Sequence, residues 1–230
     1  MSSTNPTSAN GNTGANANTG AAANTGANAN TGAAVKPNLR WTIADITATA
    51  VIAVASGVIF WAFGLVSEPI TAPLEALVPG LGALTWGMFY FAGPLASIIV
   101  RKPGAAIFAE LVAALMENVF GSHWGGVGTI LPGIVQGVAA EIAFLIFAYK
   151  LWNVWTATLS GALAGLGGMA ISWILYYVGS GAAFIVISFI ASVVSGAVVS
   201  GALMWALYKA IAATGALDKL AGGRGSKVVA

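Results

Sequence analysis

Residues 101–141 read RKPGAAIFAELVAALMENVFGSHWGGVGTILPGIVQGVAAE. The stretch opens on two basic residues and a Pro-Gly break, climbs through apolar sequence, turns at Gly121–Gly126 and descends again. Glu110, Glu117 and Asn118 lie on the way up, Gln136 and Glu141 on the way down. Three of the chain's seven acidic residues therefore fall in sequence that otherwise reads as lipid-embedded helix. A carboxylate at membrane depth costs several kcal/mol unless partnered, so each is a functional candidate by default.

Outward from this hairpin the chain reads as its scaffold. It has 230 residues, 58% hydrophobic and only 7% charged, with mean hydropathy +0.86, whereas a soluble domain is about 25% charged. The composition predicts an all-α membrane protein. The net charge of +2 does not point to nucleic acid. The basic residues sit at the ends of apolar runs, where they orient a chain in the lipid bilayer. With no cysteine there is no disulfide, thiolate metal site or thiol nucleophile.

Residues 1–39 read as a disordered low-complexity tail of Ala, Asn, Thr and Gly. GANANTGAA occurs at 14–22 and again at 26–34, too polar and too plain to offset the entropy of ordering. Residues 40–211 read as one transmembrane domain, and 212–230 as a cytoplasmic C-terminal tail. Within the domain, six apolar segments are expected at 42–65, 80–100, 104–120, 127–149, 154–178 and 183–211, near the ~20 residues that cross hydrocarbon. All nine Lys and Arg residues fall before the first segment, in the second and fourth connections, or in and after the end of the sixth. The connections 66–79, 121–126 and 179–182 have none. The positive-inside rule then predicts a bundle of six transmembrane helices with both termini cytoplasmic.

The opposite end carries the chemistry. Glu68 and Glu75 lie in the first outer connection, Asn118, His123 and Trp124 around the second. Trp61, Trp86, Tyr90, Trp173, Tyr176 and Tyr177 lie within a few turns of that boundary. Singly, each aromatic fits an interfacial belt. Collectively, aromatics and carboxylates with no basic residue suit a flat organic cation or an aminopyrimidine, through cation–π faces and carboxylate acceptors. They would repel an anion.

Glu117 is the leading ligand contact, against the alternative of a snorkelled interfacial acid. It lies one turn below the outer end of its helix, and i,i+7 from Glu110 on the same face. Glu110 and Glu141 lie at similar depth, Glu110 roughly 10 Å from the cytoplasmic end at 1.5 Å per residue. These two acids share a proton, pair with Arg101, or cap broken backbone, the last a structural role. Gln136 is nearer mid-membrane, about 140° around the helix from Glu141, so the two cannot point the same way. His123 is the single histidine, weak as a metal ligand without neighbours; no metal site and no cofactor are expected.

The first helix carries a row of small residues, Ala44, Ala48 and Ala55, with Ala53 and Gly57 beside it. Such rows let helices approach closely in lipid. With Asp45 as an exposed polar anchor, the row suits a partner; Asp45 also suits a helix N-terminus. Ser188, Ser192, Gly196 and Ser200 make a comparable row in the sixth helix, which suits internal packing.

RKPGAA at 101–106, the Glu110–Glu117 spacing, GIVQG at 133–137 with AE at 140–141, and the six-helix plan carry a resemblance over about residues 40–211. The chain resembles the substrate-binding (S) component of an energy-coupling factor (ECF) transporter, of the YkoE type. That group is linked with thiamine and hydroxymethylpyrimidine and often labelled a cobalt-transport permease. The resemblance implies a monomeric binding subunit in a bacterial cytoplasmic membrane, with a site near the outer face closed by the first outer connection. It implies docking through helix one onto a transmembrane T component powered by two ATPase subunits. Ligand contact falls on Glu117, Asn118, Gln136 and the outer aromatics because they match the family's motif region. The repeat tail is a departure.

Two other classes stand beside this one. A cobalt or nickel uptake permease fits the family label but not the single His and absent Cys. A proton-coupled carrier could use Glu110 and Glu141 as its relay, though six helices without inverted halves are thin for alternating access. No nucleophile–base set or metal pair suggests an enzyme.

Overall fold

The computed structural model describes residues 39–122 and 124–226; the repeat tail and His123 lie outside the described residues. The first helix, α1, runs Ile43–Leu77. Thr42 starts it with a reciprocal cap: its hydroxyl accepts from Asp45 N–H and Asp45 accepts from Thr42 N–H at 2.9 Å. Asp45 is buried and lies 3.7 Å from Lys102 Nζ. It is therefore not the exposed anchor expected beside a docking row.

At 35 residues α1 is about 52 Å long, well beyond the ~30 Å of hydrocarbon. The first outer connection, expected as a loop at 66–79, is helical to Leu77 with Pro69 and Pro73 inside it. Both prolines are exposed and four apart, so the amides they lack fall on one outward side of the helix. Glu75 ends the extension by accepting from the Gly80 and Gly82 amides at 2.7 and 3.1 Å.

The second segment is broken. A 310 stretch, Leu81–Phe89, leads into a short α2, Ala92–Val100, the two bent by 40°. Pro94 sits in the first turn of α2, where an amide would lack an intrahelical partner anyway. Hydroxyls from the last long helix serve the irregular backbone. Ser195 accepts from Gly87 N–H at 3.0 Å and donates to the Leu84 carbonyl, and Ser200 donates to the Gly87 carbonyl at 2.7 Å. Irregular backbone at membrane depth needs such internal partners.

Then come α3, Ala105–Val119, α4, Gly126–Ile146, and α5, Val154–Tyr176. The last crossing runs through α6, Ala182–Ser195, a π-helical stretch, Gly196–Leu203, and α7, Met204–Ala213. Among the described residues, four helical runs are long and apolar enough to cross a membrane, 43–77, 126–146, 154–176 and 182–213, or five with the bent pair. All six expected segments coincide with helix, but α3, at 15 residues or roughly 22 Å, does not reach that length alone.

Small residues form the seams: Ala53, Ala92, Ala96, Ala109, Ala113, Ala140 and Ala157 are buried, while Val51, Ile59, Leu65, Ile190 and Val198 face outward. This inverted pattern suits lipid. At the seam of α5 with the π stretch, a Cβ on Gly161 would collide with the Gly196 carbonyl. The serines of the sixth segment turn inward: Ser192 donates to the Gly165 carbonyl at 2.9 Å.

Residues 212–226, read from sequence as a tail, pack against the bundle. Leu217 and Leu220 are each 7% exposed, and Tyr208 donates to the Gly222 carbonyl at 2.8 Å, leading into α8, Ala221–Ser226. Arg101 donates to the Tyr208 hydroxyl at 3.2 Å and lies over the Trp152 ring. It pairs with neither Glu110 nor Glu141.

Candidate functional site

Four walls bound an inner chamber of about 640 Å³, its open mouth included. Glu110, Ala114 and Glu117 recur along α3 at i, i+4 and i+7 and so share one face. Thr129, Pro132, Gly133 and Gln136 do the same on α4. Trp86, Phe89 and Tyr90 come from the 310 stretch and its end, and Ser172, Tyr176 and Tyr177 from the end of α5. The bend between the 310 stretch and α2 is what turns three aromatics toward the acids of α3.

Glu117 is 5% exposed. The Ser122 hydroxyl donates to its Oε1 at 3.0 Å, and Thr129 donates to Ser122 at 2.9 Å. Oε2 has no hydrogen-bond partner among the described residues, and neither has the Gln136 amide. Deeper, Glu110 is fully buried and accepts from Gly93 N–H through Oε1 at 2.8 Å. Glu110, Glu117 and Gln136 therefore line one largely apolar chamber, and the second oxygen of Glu110 is buried without a hydrogen-bond partner among the described residues.

Above lies a wider vestibule, about 1430 Å³ with its open mouth, walled by Ser67, Glu68, Thr71 and Glu75 of the α1 extension and by Phe184. Trp86, Phe89, Trp124 and Tyr177 line both spaces and form the neck between them. Trp86 and Tyr177 are stacked at 6.2 Å, and Trp124 meets Tyr176 at 5.8 Å. Glu75 is held by the Gly80 and Gly82 amides, while Glu68 projects freely.

Among the residues predicted for the site, Glu117, Gln136, Trp86, Tyr90, Trp124 and Tyr177 line the chamber, and Glu68 and Glu75 line the vestibule. Three others do not. Asn118 lies half-buried at the hairpin beside Gly126. Trp61 packs on Phe120 at 5.5 Å, outside both spaces. Trp173 is 40% exposed, because one residue's turn of about 100° past Ser172 carries it to the outer surface. Glu141 faces the opposite end. It accepts from Gly104 N–H at 2.8 Å, Ala106 N–H at 2.9 Å and the Tyr149 hydroxyl at 2.6 Å, satisfying the first amides of α3.

Ser122, Thr129, Ser172, Phe60 and Phe89 were not singled out in the sequence. Thr129, Pro132 and Gly133 could have been found from Gln136 by helical spacing; Ser122, in an irregular turn, offers no such signal.

No Lys or Arg is among the described residues lining either space, and four carboxylates are. Such a site favours a ligand carrying positive charge or N–H donors and a flat ring. Among the described residues no group of three His, Asp or Glu side chains could hold a metal ion.

A family model described as the permease component of an ABC-type cobalt transport system matches residues 44–167. A Bacillus subtilis (strain 168) protein named as an HMP/thiamine permease, YkoE, is 31% identical over 192 residues, covering 80% of this chain and 91% of its own length. A crystal structure described as an S-component of an ECF transporter superposes with a TM-score of 0.74 at 27% identity, covering 82% of this chain and 94% of that one.

Proposed function

The chain belongs to the S components of ECF transporters, of the YkoE type, and on that footing we propose that it captures thiamine or its hydroxymethylpyrimidine moiety for ATP-driven uptake. The observation that carries the reading is the chamber itself: Glu110, Glu117 and Gln136 below stacked aromatics, with no basic side chain among its described lining residues. The ring enters through the neck and lies between Trp86, Tyr90 and Tyr177. Glu117 takes the cation or an amino hydrogen, and Glu68 and Glu75 draw the cation into the vestibule. The name of the Bacillus subtilis relative supports the ligand class.

The vestibule opens away from the end where Arg101, Lys102 and Lys150 gather, which by the positive-inside rule supports a vestibule outside a bacterial cytoplasmic membrane with both termini inside. In this arrangement α3 is a sixth, short crossing. The subunit is a binding protein, not an enzyme, and its energy comes from partners: a transmembrane T component and two ATPase subunits. The row on α1 supports that docking, because Ala44 and Ala55 are exposed and Ala48 half-buried, while Ala53 is buried and Gly57 packs against α3.

The test is calorimetry on detergent-purified protein with thiamine, hydroxymethylpyrimidine, riboflavin, biotin, Co²⁺ and Ni²⁺. Thiamine or the pyrimidine should bind without any ATPase subunit. A response to the metal ions alone would overturn the reading and favour the cobalt permease that the family description suggests.

A further inference from the structure

Arg101 closes α2 in a left-handed conformation, with φ 56°. A residue with a Cβ adopts it at a cost that glycine escapes, so the side chain is kept against backbone strain. Its guanidinium is half-buried and braced by three groups. Nε donates to the Ile98 carbonyl at 3.4 Å, Nη2 donates to the Tyr208 hydroxyl at 3.2 Å, and the Trp152 ring lies 5.5 Å away. The braces are themselves fixed. Tyr208 donates to the Gly222 carbonyl, while Trp152 donates to the Tyr149 carbonyl at 2.9 Å and stacks on Phe144 at 4.8 Å. All three braces are neutral. The adjacent Lys102 has a counter-charge in Asp45 at 3.7 Å, whereas no carboxylate among the described residues pairs with Arg101. A cation drawn partly out of water without a counter-charge is costly, and an ordered guanidinium presents a planar fork of donors that matches phosphate oxygens.

We infer that Arg101 binds the headgroup phosphate of an anionic phospholipid at the end of the bundle opposite the vestibule. The site stands independently of the vitamin reading. Position favours lipid over a soluble anion: Leu151 and Trp155, on either side of Trp152 in sequence, are exposed, and exposed tryptophan beside basic residues marks the level of headgroups. Lys150 is exposed there as well and adds the charge that draws anionic lipid. The buried acids of this end are committed, Asp45 to Thr42 and Lys102 and Glu141 to Gly104, Ala106 and Tyr149. The ammonium of a zwitterionic headgroup would find neither, so the anionic headgroup is preferred.

The experiment is native mass spectrometry of the detergent-purified full chain with phosphatidylglycerol or phosphatidylcholine, with melting followed in each lipid and in inorganic phosphate. Wild type should bind phosphatidylglycerol at least fivefold more tightly than phosphatidylcholine. Arg101→Gln should lose most of that preference, while Lys219→Gln, the same charge change at an exposed position, should stay within twofold of wild type. Should Arg101→Gln not fold, Arg101→Gly replaces it, because glycine adopts this φ freely. No preference in wild type, or equal losses in the Arg101 and Lys219 variants, would overturn the inference and leave only the diffuse charge of this end. Stabilisation by inorganic phosphate that depends on Arg101 and equals that by phosphatidylglycerol would also overturn it, in favour of a soluble anion.

Discussion

The Ser122 hydroxyl donates to Glu117 Oε1 at 3.0 Å, so a residue of the outer hairpin sets the angle of an acid on α3. Thr129 of α4 steadies Ser122 in turn, at 2.9 Å. The carboxylate is aimed before any ligand arrives, which spares the ligand part of the ordering cost. Glu117→Gln should weaken binding by roughly 1.5–3 kcal/mol, the range for a hydrogen bond to a charged group. Ser122→Ala leaves the acid in place but untethered, and should cost about 0.5–1.5 kcal/mol, the worth of one neutral donor. Titration calorimetry of both variants checks the order; a Ser122→Ala loss exceeding that of Glu117→Gln would move the principal contact to the hairpin.

Glu141 lies at the far end of the bundle, and a different readout should move. It satisfies the amides of Gly104 and Ala106 and receives the Tyr149 hydroxyl. Glu141→Ala strands two N–H groups at the start of α3, at about 1–3 kcal/mol for each donor left buried and unsatisfied. A lower melting temperature with thiamine affinity within twofold is expected. Tyr149→Phe removes a single donor and should lie between that variant and wild type in melting.

What the sequence made legible follows from how strongly lipid constrains composition. The six apolar segments and the acids among them could be read because charge inside such runs is rare, and Gln136 and Glu117 fall on the faces that helical spacing predicts. The α1 extension was not legible, because Pro69 and Pro73 read as loop signals and only tertiary placement shows their missing amides facing outward. Nor was the 310 stretch: the amide and carbonyl of Gly87 within it are satisfied by Ser195 and Ser200, more than a hundred residues away in sequence. Trp61 and Trp173 show the limit of depth as a guide. Residues at the right height along a helix still have to lie on the right side of it.

The neck separates aromatic residues by position rather than by type. Trp86 lines both spaces and stacks on Tyr177, whereas Trp173 lines neither. Trp86→Ala should cost about 1–2 kcal/mol of thiamine affinity through the lost ring face, and Trp173→Ala should leave binding within error. Comparable losses in the two would indicate that the ligand sits elsewhere or that the aromatic end acts only as an interfacial belt.

The exposed row of α1 calls for a measurement that ligand binding cannot supply. Ala44 and Ala55 are open to the surroundings, and Ala48 is half-buried at its edge. A bulky side chain there has free space in the isolated subunit, so Ala55→Trp should fold and bind thiamine as wild type does. In a complex, the same indole would hold two helices apart where small residues otherwise let their backbones meet. Co-purification with the T component and the ATPase subunits should therefore fall sharply, and uptake into cells or proteoliposomes with it. The chamber lies inside the bundle, lined on α1 by Phe60, which is buried, while Ala55 faces out. A loss of binding in Ala55→Trp would thus contradict the separation of capture from docking, and unimpaired uptake would place the partner on another face.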